Sequence, residues 1–167
     1  MTHQTRIEYI HASKFGNGAL VAEEFKRLMR DRVDVVEVRH VREAKPREIP
    51  EADLYVFSSP GRMGRPIGSM RRFLKKAKLP EGAKYAILTT EMAAAPDKKT
   101  GKMPTPEEIA KWQRVRPMMT DLLEQKHLTK VAETHVEVLA MKGPLEQEWH
   151  HKLDDFVATV STAVGAT

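Results

Sequence analysis

Cysteine is absent from this 167-residue chain, which excludes a disulfide framework, a Cys-based zinc site, an iron–sulfur cluster and a thiol nucleophile. Any redox chemistry has to come from a bound organic cofactor. Long apolar runs are missing as well. Met1 to Arg6 is polar, with no apolar signal-peptide core, and no stretch is long enough to span a bilayer, so the expectation is a soluble, cytoplasmic protein. Internal repeats and low-complexity segments are also lacking. A chain of this length buries a sizeable core without staples, and a single domain over residues 1–167 is expected.

What is present is charge of both signs. The formal net charge of +5, from 28 basic against 23 acidic residues, allows an anionic ligand, an acidic partner or weak nucleic-acid binding. The sign alone does not choose among them, and interspersed charges are first of all a solvated surface.

Along the chain, strands alternate with helices. Arg6 to Ala12 reads as a strand that halts at Ser13-Lys14-Phe15-Gly16-Asn17-Gly18, after which Val21, Phe25, Leu28 and Met29 lie on one helical face. Val33 to Val38 is a second strand, followed by a polar stretch with Pro46 and Pro50 that has room for a short helix. Asp53 to Phe57 is a third, continuously apolar strand of the kind buried on both faces. Ser58 to Pro66 then reads as a turn-rich loop before a helix carrying Ile67, Met70, Leu74 and Ala77 on one side.

Lys84 to Leu88 is the fourth strand and Thr89 to Pro104 a long loop. Thr105-Pro106-Glu107-Glu108 supplies an N-cap residue, a first-position proline and acids in the first turn of a helix that includes Ile109, Trp112, Leu122 and Leu123, with Pro117 expected to kink or break it. Val131 to Met141 holds the fifth strand. The last helix has the cleanest amphipathic pattern: Trp149, Leu153, Phe156, Val157, Val160 and Val164. The alternation predicts an α/β fold with a five-stranded parallel sheet and helices on both faces. Ligands of such sheets bind outside the carboxyl ends of the strands, which directs attention to the loops after the first, third and fourth strands.

The loop Ser13 to Gly18 combines two glycines, a hydroxyl and a lysine before a helix N-terminus, a place suited to a phosphate and equally to an ordinary tight turn. These residues resemble the phosphate loop of the flavodoxin family, a Ser/Thr-x-Thr-Gly-x-Thr pattern with which Ser13, Gly16 and Asn17 fall in register. Pro60-Gly61-Arg62-Met63-Gly64 is similar to a segment of the flavodoxin-like quinone reductases. The polar connection between the second and third strands and the Lys142-Gly143-Pro144 turn also resemble the family.

The resemblance implies a three-layer sandwich of strand order 2-1-3-4-5 and FMN as cofactor. It implies phosphate contacts from Ser13, Lys14, Phe15, Gly16, Asn17 and Gly18. The ring would lie between Ser58, Ser59, Pro60, Gly61, Arg62, Met63 and Gly64 on one side and Thr89, Thr90, Glu91 and Met92 on the other. The implied activity is electron transfer to a redox partner protein, or reduction of a small acceptor such as a quinone by a reduced nicotinamide. The flavin would do the chemistry, with no residue acting as nucleophile or acid and no metal.

Phe15 and Gly18 stand where the family has threonines, and neither ring-flanking segment contains an aromatic residue. A flavin-free binding module of the same fold therefore stays open as the alternative. Glu91 to Pro104 reads as a lid, a subunit contact of a homo-oligomer or a mobile loop.

Other constellations fail. Gly16-Asn17-Gly18 with Glu37 echoes a dinucleotide fingerprint, but Val21 occupies the third glycine position. A receiver domain needs aspartate where Ser58 stands. Adjacent His150 and His151 cannot chelate one ion together and read as surface histidines.

Overall fold

The computed structural model describes residues 3–166. Strand β1 (Arg6–His11) lies in a parallel sheet between β2 (Val35–His40) and β3 (Leu54–Arg62). On the far side of β3 follow β5 (Lys84–Met92) and β6 (Thr129–Val138), giving the order β2-β1-β3-β5-β6. With the two-residue β4 (Arg65–Pro66) set aside, this is the expected 2-1-3-4-5 arrangement of five parallel strands. β4 folds back antiparallel on β3, pairing Gly61 with Pro66 and Arg62 with Arg65.

Side chains of a strand alternate between its faces, and this sheet is apolar on both. Ile7 and Tyr9, Leu54 and Val56, and Ala86 and Leu88 point to the face covered by α1 (Asn17–Met29) and α5 (Trp149–Ala163), where they pack with Phe25, Met29, Leu153 and Phe156. Ile10, Tyr55, Phe57, Tyr85 and Ile87 point to the other face. There α2 (Gly68–Lys76) and α4 (Val115–Glu124) bury Met70, Phe73, Leu74, Met119 and Leu123. The result is three layers with the strands' carboxyl ends at one edge.

Glu8 on β1 places a charge inside the sheet. Its fully buried carboxylate accepts from Arg6 at 2.5 Å and from Arg39 on β2 at 3.1 Å, so the charge is paired from two sides.

Four expectations need correction. No helix forms between β2 and β3, where residues 41–53 are turns and irregular chain; Pro46 and Pro50 each remove a donor and restrict the preceding residue. β3 runs five residues beyond Phe57 and β5 four beyond Leu88, because parallel pairing continues through Ser58↔Leu88, Ser59↔Thr89 and Pro60↔Thr90 after the apolar run has ended. Ser58 to Arg62 is therefore strand, and the turn is confined to Met63 and Gly64. Finally, the helix after Thr105 breaks at Gln113 and Arg114, with α3 spanning Pro106–Trp112, and Pro117 sits in the first turn of α4. A proline there is harmless, because first-turn N–H groups have no intrahelical partner.

Candidate functional site

The chain leaves β1 at His11 and turns through Gly16, whose φ of 90° is the left-handed conformation that glycine adopts without strain. Ser13 Oγ accepts the Gly16 N–H at 3.1 Å. His40 Nδ1 accepts the Arg42 N–H, so the neutral ring carries its proton on Nε2 and donates it to the Ser13 carbonyl at 3.2 Å. The loop is thereby fixed to β2.

No side chain caps α1, which leaves the N–H groups of its first turn directed at the space beside Ser13. The turn between β6 and α5 closes on the same place. The Cβ position of Gly143 would lie 3.1 Å from Asn17 Oδ1. Two ammonium groups flank the exposed Phe15 ring, with Lys14 Nζ 5.3 Å and Lys142 Nζ 6.0 Å from its centroid.

The β3–β4 hairpin forms a second wall. Met63, 84% exposed, is left-handed at φ 53°, and Gly64 follows at 74°. The Gly64 carbonyl accepts the Arg114 N–H at 2.6 Å, and a Cβ on Gly64 would stand 2.1 Å from the Trp112 carbonyl oxygen. One on Gly61 would stand 2.9 Å from Val115 Cγ2. Both glycines are thus required by the close approach of the α3–α4 junction. Ser59 Oγ accepts from the Ile67 N–H at 3.1 Å and donates to the Pro60 carbonyl at 2.9 Å, which fixes the hairpin to the start of α2.

The third wall is the end of β5. Thr89 and Thr90 are buried. The Thr89 hydroxyl donates to Glu91, whose carboxylate also receives Arg116 Nε at 2.7 Å and Nη2 at 3.3 Å. Glu91 is committed to that pair, and Arg116 reaches on to Glu133 at 3.4 Å.

These walls enclose a cavity of about 440 Å³, a size typical of small-molecule sites. Of the residues expected at a cofactor, Ser13, Lys14, Phe15, Asn17 and Gly18 line it from the first loop, Pro60, Gly61, Arg62, Met63 and Gly64 from the hairpin, and Thr90 and Met92 from β5. Gly16, Ser58, Ser59, Thr89 and Glu91 are not among its lining residues. Gly16 shapes the turn, the buried Ser58 lies within the sheet, and the other three hold the walls as just described.

Sequence reasoning missed Ile67, Trp112, Gln113, Val138 and Met141, which also line the cavity. Trp112 supplies an aromatic wall that the two ring-flanking segments lack, and it arrives from a helix distant in sequence. Its signal was available: a tryptophan with Glu108 and Lys111 on a short helix has little core to enter, and it is 54% exposed. A wider groove of about 1090 Å³ lies on the far side of Trp112 and Gln113, with Arg116, Glu133 and His135 among its residues. No helix among the described residues is long and apolar enough to cross a membrane.

His11 lies below the first loop, 7% exposed, its ring edge-to-face with His40 at 5.2 Å. Burial holds its pKa below the ordinary value, His40 pushes the same way, and Glu43 and Glu23 oppose.

No family model and no curated protein matches the chain. Solved structures do match it, in shape at low sequence identity. Rubredoxin oxygen:oxidoreductase from Desulfovibrio gigas superposes with a TM-score of 0.70 at 13% identity, covering 96% of this chain and 36% of that one, so the chain spans about a third of that protein's length. The Streptococcus pneumonia TIGR4 flavodoxin gives a TM-score of 0.67 at 17% identity over 95% of this chain and 99% of its own. Oxidised flavodoxin 1 from Bacillus cereus gives 0.61 at 15% identity, covering 96% and 97%. Together with the sheet order and the helix layers, these likenesses show that the chain has the flavodoxin-like fold.

Proposed function

We propose that the cavity binds FMN and that the protein transfers electrons through it. The observation that carries this reading is the pairing, in one cavity, of an uncapped helix N-terminus beside Lys14, with Lys142 reaching the Phe15 ring next to it, and a slot walled by Met63, Met92 and Trp112. The first accepts a phosphate dianion through N–H groups, the helix dipole and two cations. The second accepts a planar apolar ring. A ligand with a phosphate at one end and a fused aromatic ring at the other satisfies both, and FMN has that form. The cavity residues fit the group.

Bound FMN would supply one- and two-electron redox chemistry. The chain's part is to bind, orient and shield it. Ser13, Asn17 and Gly18 would meet the phosphate. Gly61 to Gly64 and Thr90 would face the ring, with Trp112 limiting access of water to it. Arg62 and Arg65, paired across the hairpin, place positive charge at the rim. A unit charge about 5 Å away would favour the reduced anionic ring by ~3 kcal/mol at an effective dielectric of ~20, less with solvent screening. The electrons would pass to a partner protein, or from a reduced nicotinamide to a small acceptor such as a quinone entering beside Trp112.

Calorimetric titration of the apoprotein with FMN and with FAD tests the reading. Saturable one-to-one FMN binding is expected. Tight FAD binding without FMN binding would overturn the phosphate assignment, and no flavin binding at all would leave the flavin-free binding module.

A further inference from the structure

Gln113 follows α3 directly, is 8% exposed, and lines both the cavity and the groove beside it. Its Oε1 is buried with no hydrogen-bond partner. That oxygen lies 3.5 Å from the point a Cβ on Gly61 would occupy, and the Thr90 carbonyl oxygen lies 3.7 Å from the same point. The polar atoms nearest this corner of the cavity are therefore two acceptors. A buried acceptor without a donor is a cost to the fold, and groups of this kind persist where something else uses them.

We infer that Gln113 is a ring-recognition residue, whose carboxamide oxygen accepts a hydrogen bond from an N–H on the edge of the bound aromatic ring above Gly61. The inference rests on the proposed flavin site. The terminal torsion of glutamine is soft, so Oε1 can adjust to meet a ligand N–H, which supplies the partner that the buried oxygen lacks. A ring offering N–H at this edge is selected over one that offers none, because the latter leaves the acceptor unpaired.

The substitution Gln113→Met keeps the length and apolar stem and removes the orphan oxygen. Two readouts separate ligand recognition from a structural role: thermal unfolding of the apoprotein, and calorimetric affinity for FMN. The inference predicts an apoprotein melting temperature equal to or above that of the unsubstituted chain, with FMN binding weaker by about five- to tenfold, the worth of one buried hydrogen bond. Gln113→Glu, which keeps an acceptor, should retain more affinity than Gln113→Met. Unchanged FMN affinity in Gln113→Met overturns the inference, as does a lowered melting temperature with unaltered affinity. Failure of the unsubstituted chain to bind FMN overturns the proposed flavin site itself, and is read before any variant is compared.

Discussion

The Arg114 N–H donates to the Gly64 carbonyl at 2.6 Å, and this bond ties the tip of the β3–β4 hairpin to the break between α3 and α4. The approach is so close that position 64 has no room for a side chain: its Cβ would meet the Trp112 carbonyl oxygen at 2.1 Å, with φ at 74°. Gly64→Ala should therefore destabilise the fold by about 2–4 kcal/mol, from left-handed strain plus backbone displacement. Gly101→Ala is the control, at φ 71° with nothing within 4 Å, and should cost only the backbone term of ~1 kcal/mol. Chemical denaturation of the two variants compares them. Equal losses would show that the hairpin is not held against Trp112.

Gly18 offers the opposite case. It lies in the first turn of α1, and its Cβ would stand 3.4 Å from Ser13 Cβ, an ordinary contact. Gly18→Thr should fold, gain helix stability of about 0.3 kcal/mol, and add a hydroxyl donor where a phosphate would sit. FMN affinity should rise by about tenfold, at the lower end of the range for a bond to a charged group. Weaker binding by a folded variant would place the phosphate elsewhere.

Lys142 reaches the first loop from the turn after β6. Lys142→Ala should weaken FMN binding by about two- to fivefold at low salt and less at high salt, since the charge is exposed and screened. Affinities measured across a salt series decide this. A loss independent of salt would mean that Lys142 acts by packing on Phe15 and not by its charge.

The strands and the amphipathic helices were legible because apolar periodicity marks their cores. Their ends were not. Ser58 to Arg62 and Thr89 to Met92 look like loop because they are polar or carry glycine, yet they continue the ladder that Leu54 and Lys84 begin. The first loop drew attention from its local residues alone, which suit a phosphate and equally an ordinary turn, whereas Trp112, Gln113 and Met141 reach the cavity only through tertiary packing. Gly61 and Gly64 were legible only as residues expected to flank the ring. The structure gives the cause of their being glycine, the backbone of Trp112 and the methyl of Val115, which no local pattern contains.

One buried histidine, His11, and one half-buried histidine, His135, set a pH dependence. His11 and His135 both have pKa values below the ordinary 6.5, in each case first through burial; His40 adds to the effect at His11, while at His135 Glu91 opposes and Arg116 reinforces it. The unfolded chain then binds more protons than the folded one between the two sets of values. Stability present above about pH 6.5 is lost as pH falls through the folded pKa values. Melting temperatures should drop between about pH 7 and pH 5, and His11→Phe should flatten that slope. An identical slope in the variant would show that His11 does not titrate with folding.

On the proposed function, a flavin occupies the space between the first loop, the hairpin and Trp112. Titrating isotopically labelled apoprotein with FMN and following each amide and the Trp112 indole N–H by NMR locates the ligand directly. The predicted result is a set of saturating shifts at Asn17, Gly18, Gly61, Gly64, Thr90 and the Trp112 indole, with residues at the opposite end of the sheet, such as Gly82 and Glu51, unmoved. Shifts centred on the groove around Arg116 and His135, or no saturable shifts, would contradict it.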